Sequence, residues 1–170
     1  MSTTQQVIEQ TREQLSKFGV RAALVCLNLN SLHRFTALFR FEGTTLRNLY
    51  LIDREDATVE HCPDMPVLES YCVYIRDSGA KFLTEDADTD VRVLGHPKQP
   101  TVKSYCGLPL ISSTGQLFGT ICHFDFDAIP FAESEILVLE EMAPRLVSAI
   151  EAGDWKPQQS DSTAKTSHAT

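Results

Sequence analysis

The stretch Ser104–Asp125 reads SYCGLPLISSTGQLFGTICHFD: two apolar runs, Tyr105–Ile111 and Leu117–Phe124, joined by the polar break Ser112-Ser113-Thr114-Gly115-Gln116. Runs of this length, rich in Ile, Phe, Leu and Tyr and bounded by Ser, Thr and Gly, predict the two strands of a hairpin. Neither run alternates cleanly between apolar and polar residues, which is the pattern of strands covered on both faces. The hairpin therefore belongs in the middle of a sheet. Gly107 and Gly119 mark positions where a helix or a ligand can come close to the backbone, and Pro109, with no N–H to donate, should sit at an edge or a bulge.

Upstream, Arg34–Phe41 and Thr45–Ile52 flank Glu42-Gly43-Thr44 and predict a second hairpin. Before it, Val7, Ile8, Thr11, Leu15 and Phe18 recur at helical spacing, so Thr4–Phe18 reads as an amphipathic helix closed by Gly19. A more apolar helix is expected over Val20–Ser31. Asp53–Pro66 reads as a loop. The residues alone leave Leu68–Arg76 open between helix and strand. Phe82–Thr84 reads as a short strand, Asp88–Leu94 as a short helix and Gly95–Thr101 as a loop. Ala132–Ala152 reads as a long closing helix, with Ile136, Leu139, Met142, Ala143, Leu146, Val147 and Ile150 on one stripe. Pro144 lies inside it, where the lost hydrogen bond and ring clash cost about 3 kcal/mol and predict a kink.

Three segments together are similar to the GAF domain family. The first is Ser104-Tyr105-x-Gly107-x-Pro109-Leu110, a turn, then Gly119-Thr120-x-Cys122-x-Phe124-Asp125. The second is Phe82-Leu83-Thr84-x-Asp86-Ala87-x-x-Asp90-x-Arg92, and the third is Pro130-Phe131-x-x-x-Glu135 with the helix after it. The resemblance implies an α/β (α+β) domain of three layers. Its central antiparallel sheet has five to six strands, with the terminal helices on one face and short helices and loops forming a ligand cleft on the other. It also tips Leu68–Arg76 toward helix. The expected organisation is an N-terminal helix over 1–19, the GAF-like body over 20–153 and a polar, disordered tail over 154–170.

The chain has 170 residues and a formal net charge of −8. The charges from Asp154 onward cancel, so the excess sits on the body. An acidic body argues against nucleic acid and anionic membrane as main partners. No apolar run is long enough to span a bilayer. The first residues lack the basic and apolar regions of a signal peptide, so a cytoplasmic location is expected. Cys26, Cys62, Cys72, Cys106 and Cys122 include no CxxC pair, and five free thiols are expected in a reducing compartment. His33, His61, His96, His123 and His168 lack zinc-site spacing, so no metal is expected.

The residues that could carry chemistry are few. Asp86-x-Asp88-x-Asp90 begins like a calcium loop, but Val91 and Pro97 stand where glycine and glutamate are needed; helix capping is the plainer reading. Cys122-His123 superficially resembles the bilin-attaching pair of phytochrome-type GAF domains but stands in the wrong strand position. Cys62-Pro63 resembles a haem-responsive dipeptide that a loop turn equally explains. His123 interrupts an apolar strand, either as a satisfied core histidine or as a pocket donor. The resemblance implies that Tyr71-Cys72 and Tyr105-Cys106 line a cleft; core packing is the alternative. The expected ligand site is therefore Tyr71, Cys72, Asp86, Arg92, Tyr105 and His123.

The expected function is a sensory or regulatory module binding an unidentified small molecule, with no output domain in this chain and no identified cofactor. Signals would pass to a separate output protein or through a homodimer built from the helices Thr4–Phe18 and Ala132–Ala152. Two alternatives stand beside it. One is an enzyme resembling free methionine sulfoxide reductase, against which Gly95–Thr101 has no cysteine and Tyr105 replaces the acidic residue. The other is a ligand-free dimerisation module.

Overall fold

The computed structural model describes residues 3–153, and the tail expected over 154–170 lies outside them. Six strands form one antiparallel sheet in the order β3-β2-β1-β6-β5-β4. They are β1 Phe35–Glu42, β2 Thr45–Asp53, β3 Met65–Pro66, β4 Phe82–Thr84, β5 Ser104–Ile111 and β6 Leu117–Asp125. The helices are α1 Thr4–Phe18, α2 Val20–Leu29, α3 Cys72–Ser78 and α4 Glu133–Glu151. No helix among the described residues is long and apolar enough to cross a membrane.

The hairpin β5–β6 sits inside the sheet, as its unbroken apolar runs require. One face carries Leu108, Leu110, Ile121 and Leu38 against α1, α2 and α4. The other carries Tyr105, Cys122, Ala37 and Phe39 against α3 and the short segments around it. A fully buried aliphatic side chain stabilises a fold by about 1.5–3 kcal/mol, so two such faces hold the sheet from both sides. Pro109 pairs with Thr120 of β6, while β4 reaches only from Tyr105 to Gly107; the proline thus stands where β5 has lost its outer neighbour. Gly119 is required by neither helix nor ligand. A Cβ there would run into the backbone carbonyl of Phe39, where the β1–β2 register shifts at Leu38/Phe39.

Thr3 caps α1: its hydroxyl accepts from Gln6 N–H and the Gln6 side chain accepts from Thr3 N–H. Gly19, at φ 94°, then lets the chain reverse directly into α2. Val7, Ile8 and Thr11 are buried against α2 and α4 of the same chain, and Leu15 packs on that core. The stripe that motivated a dimer is thus covered from within; Phe18, 70% exposed, is left outside with Leu29 and Leu137. In α4, the stripe residues Leu139, Met142, Ala143, Leu146, Val147 and Ile150 are buried together with Val138, whereas Ile136 is only partly so. The helix runs as one element through Pro144.

Three local expectations change. Leu68–Arg76 becomes a 3-10 turn, Val67–Glu69, a break at Ser70, and α3, which ends at the left-handed Gly79. Asp88–Leu94 shrinks to one 3-10 turn, Val91–Val93, because the Asp90 carboxylate takes the Arg92 N–H and so stops the turn from lengthening backward. The loop Asp53–Pro66 ends in β3, paired with Thr45 and Leu46.

Candidate functional site

On the face away from the long helices, strand alternation points Tyr105, Thr120 and Cys122 toward α3, which carries Cys72 at its first turn. Cys72 Sγ lies 3.1 Å from Tyr105 Oη and 3.2 Å from Thr120 Oγ1. The Cys72 N–H donates to Ser70 Oγ at 3.1 Å. Cys72 and Cys122 are both fully buried and in hydrogen-bonding relation. Burial alone pushes a thiol up. The hydrogen bonds of Cys122, Ser70, Thr120 and Tyr105 outweigh this for Cys72, whose thiol moves down from its ordinary value. Cys122 moves the other way, driven by burial and its position beside Cys72. Of the pair, Cys72 is the thiol that ionises first.

Around this cluster the cleft is packed with rings. Tyr71 and Tyr105 meet edge-on at 5.5 Å between centroids, Tyr74 stacks on Phe82 at 4.5 Å, and His96 lies 4.7 Å from Tyr71. Tyr71, 2% exposed, donates its hydroxyl to the Val102 carbonyl at 2.9 Å. His96 Nε2 donates to the Ser70 carbonyl at 3.1 Å, tying the loop after Val91–Val93 to α3. Burial raises Tyr71 well above a free phenol and keeps His96 on the neutral side. Gly107 makes this filling possible: a Cβ there would fall 2.6 Å from Ile75 Cδ1 and 2.7 Å from Tyr105 Cε1.

The six expected site residues divide. Tyr71, Cys72 and Tyr105 come together. Arg92 sits at the rim, its guanidinium 4.6 Å over the Phe82 ring and paired with Asp90 at 2.6 Å. That pairing holds the Asp90 carboxyl well below the usual carboxylate range. Asp86 is used locally, accepting the Asp88 N–H at 3.0 Å in an exposed turn. His123 lies on the opposite face, because it is one residue from Cys122 in a strand. Its Nδ1 is 2.7 Å from Thr36 Oγ1, which also accepts from Asn28 Nδ2 at 3.0 Å. Burial holds His123 down at about 3. The sequence reading missed Thr120, Tyr74, Phe82 and His96. Thr120 and Cys122 share the strand parity of the cluster, but only α3's position brings Cys72 to them.

No family model matches the sequence. Among solved structures, the GAF domain of an Acinetobacter phosphoenolpyruvate-protein phosphotransferase superposes with a TM-score of 0.71, covering 89% of this chain and 96% of that one at 10% identity. The fold is that of a GAF domain. The same GAF architecture appears in the free methionine-R-sulfoxide reductase of Neisseria meningitidis, with a TM-score of 0.70 over 88% of this chain and 89% of that one at 16% identity. A phycocyanobilin-bound GAF domain of a cyanobacterial phytochrome gives 0.67 over 89% and 96% at 12% identity. By sequence, a cyclic di-GMP phosphodiesterase of Pseudomonas aeruginosa is 33% identical over 88 residues, 49% of this chain. The match spans only 15% of that protein's length.

Proposed function

We propose that this GAF-fold chain is a regulatory module whose aromatic cleft binds a small, largely apolar molecule with a polar handle. One observation carries the reading: the rings of Tyr71, Tyr74, Phe82, His96 and Tyr105 converge between α3, β4, β5 and the 95–103 loop. Ligand pockets combine such apolar and aromatic walls with a few placed polar groups, here Tyr105 Oη, Cys72 Sγ and Thr120 Oγ1. The segments over the cleft are short, so a ligand can displace rings without unfolding the sheet. Asp86 and Arg92 then belong to the rim of this lid, and His123 to neither rim nor cleft. The sequence likeness to one small part of a much longer phosphodiesterase supports a regulatory reading. Pairing through the outer faces of α1 and α4, where Phe18 and Leu137 are exposed, belongs to the same proposal.

Native mass spectrometry of protein purified without refolding, with parallel thermal shift on the released compound, tests it. A retained molecule that raises Tm in the wild type and fails to do so in Tyr71→Ala supports the reading. Ligand at one hundred times its Kd adds about 2.7 kcal/mol of stability. A retained molecule indifferent to Tyr71→Ala refutes the cleft. Light scattering during size exclusion tests the pairing; a mass of one chain at micromolar concentration refutes it.

The second reading, methionine sulfoxide reduction, is favoured by the lowered Cys72 thiol beside Cys122 and weakened by the burial of both sulfurs. Turnover of free methionine sulfoxide with a thioredoxin system decides between the two.

A further inference from the structure

On the helix face of the sheet, away from the aromatic cleft, a cavity of about 360 Å³ opens between the start of α1, the end of α2 and the start of α4. This volume lies in the range of small-molecule sites, about 300–1,000 Å³. Val7, Leu27, Leu29 and Val138 form apolar walls, and His123, Ser31 and Glu135 contribute the polar end. The side chain of Glu135 is only 9% exposed, yet its Oε2 is buried without a hydrogen-bond partner among the described residues. Such an atom costs about 1–3 kcal/mol, more if charged, unless a donor reaches it.

The Leu32 N–H and the Ser31 hydroxyl face the Glu135 carboxyl, but neither reaches Oε2 within hydrogen-bond distance. His33 Nδ1 is 3.9 Å away, too far for a hydrogen bond. Its Nε2 donates to the Ile129 carbonyl at 3.1 Å, so in the neutral ring Nδ1 carries a lone pair rather than a proton. Ser31 Oγ lies 3.4 Å from that Nδ1 and accepts the His33 N–H at 3.1 Å. Burial keeps His33 neutral. Arg54 is occupied by the carbonyls of Asn28, Ser31 and His33. Burial also raises the Glu135 carboxyl, only partly offset by the Leu32 backbone, Arg54 and Ser31, so the group gains by meeting a cation.

We infer that this cavity binds a small organic amine, its ammonium group donating to Glu135 Oε2 and its apolar body lying against Val7, Leu27, Leu29 and Val138. The site lies on the other side of the sheet from the proposed cleft, so neither stands or falls with the other.

The test uses the full chain, labelled with 15N and titrated at pH 7 with cyclohexylamine, cyclohexanol and cyclohexanecarboxylate. The amine should give saturable amide shifts confined to Asn30, Ser31, Leu32, Ser134 and Glu135, with affinity at least about tenfold above both controls. Glu135→Gln should remove at least about tenfold of the amine affinity and leave that of the alcohol unchanged; tenfold corresponds to about 1.4 kcal/mol. Leu29→Trp, placed at an exposed wall residue, should fill the cavity and abolish the shifts, and serves if the Gln variant fails to fold. Equal response to all three compounds, shifts outside this cavity, unchanged amine binding in either variant, or no saturable shift would overturn the site and leave a hydrated cleft.

Discussion

The two faces of one sheet are built in different ways. The helix face is aliphatic: Leu24, Leu38, Leu110, Ile121, Leu139 and Leu146 interlock under three helices, each at least ten residues long. The lid face is aromatic and thiol-bearing, and its covering consists of α3, two 3-10 turns and loops. Long helices carry their own backbone hydrogen bonds, so burial there adds directly to cooperative stability. The lid is tied to the sheet by single bonds, such as Ala87 N–H to the Lys103 carbonyl at 2.8 Å and Val67 N–H to the Thr44 carbonyl at 2.9 Å. A segment held in this way opens locally at less than the global free energy. The same chain thus separates a stable face from a yielding one.

The sharpest way to break that contrast is in the helix-face core. Leu139→Ala should cost about 2–5 kcal/mol in chemical denaturation, with the whole unfolding transition shifted. A fall confined to part of the transition would show that the helix face does not govern global stability. On the lid face, Gly107→Ala should cost about 1–3 kcal/mol, because the new methyl group displaces the Tyr105 ring and Ile75. Its distinctive effect is local: Cys72 should become reactive to a thiol reagent while far-UV circular dichroism is unchanged. In the wild type, Cys26 and Cys62 should react first and Cys72, Cys106 and Cys122 only through opening. Simultaneous labelling of all five would erase the distinction.

Much of this contrast was legible in the residues. The unbroken runs Tyr105–Ile111 and Leu117–Phe124 placed their hairpin inside the sheet, and the stripes of Thr4–Phe18 and Ala132–Ala152 marked the helices of one face. The candidate site was half legible. Tyr71, Cys72 and Tyr105 meet, but His123 was grouped with them although strand parity sends it to the other face. The lid was the least legible part. Asp88–Leu94 reads as a helix, but Asp90 caps it at its third residue and Gly95, at φ 79°, follows its end, leaving a single turn. Periodicity on Thr4–Phe18 shows that a helix face must be covered, not by which chain, and here Val7, Ile8 and Thr11 are covered from within.

A pH prediction separates the faces by a smaller effect. His123 stays neutral when folded, down to about pH 3, and protonates near 6.5 when unfolded. Between these values the unfolded chain binds the extra proton, so stability falls as pH falls, by about 1.4 kcal/mol per pH unit for one group. Neutral His33 acts in the same direction, while the raised Glu135 acts oppositely at the lower, carboxylate end. Denaturation from pH 7 to 5 should therefore show a positive slope that His123→Asn reduces by about one proton. An unchanged slope would show that His123 is not held neutral. The smallest effect is expected at the rim: Arg92 is largely exposed, and Arg92→Ala should change stability by no more than about 0.5 kcal/mol despite its pairing with Asp90.

The outer strands have a further consequence. β3 is two residues long and includes Pro66; β4 is three residues long, and past its end Pro109 removes a donor from the bare side of β5. With these short outer strands, the Leu51 N–H taken by the Glu60 carbonyl and a proline on the bare half of β5, a stranger's strand finds little ladder to extend, one way natural sheets avoid edge-to-edge polymerisation. Crowded copies of this protein should therefore not zip together by strand addition, even where the lid has opened. Association that preserves the sheet is left to the side chains of the helices.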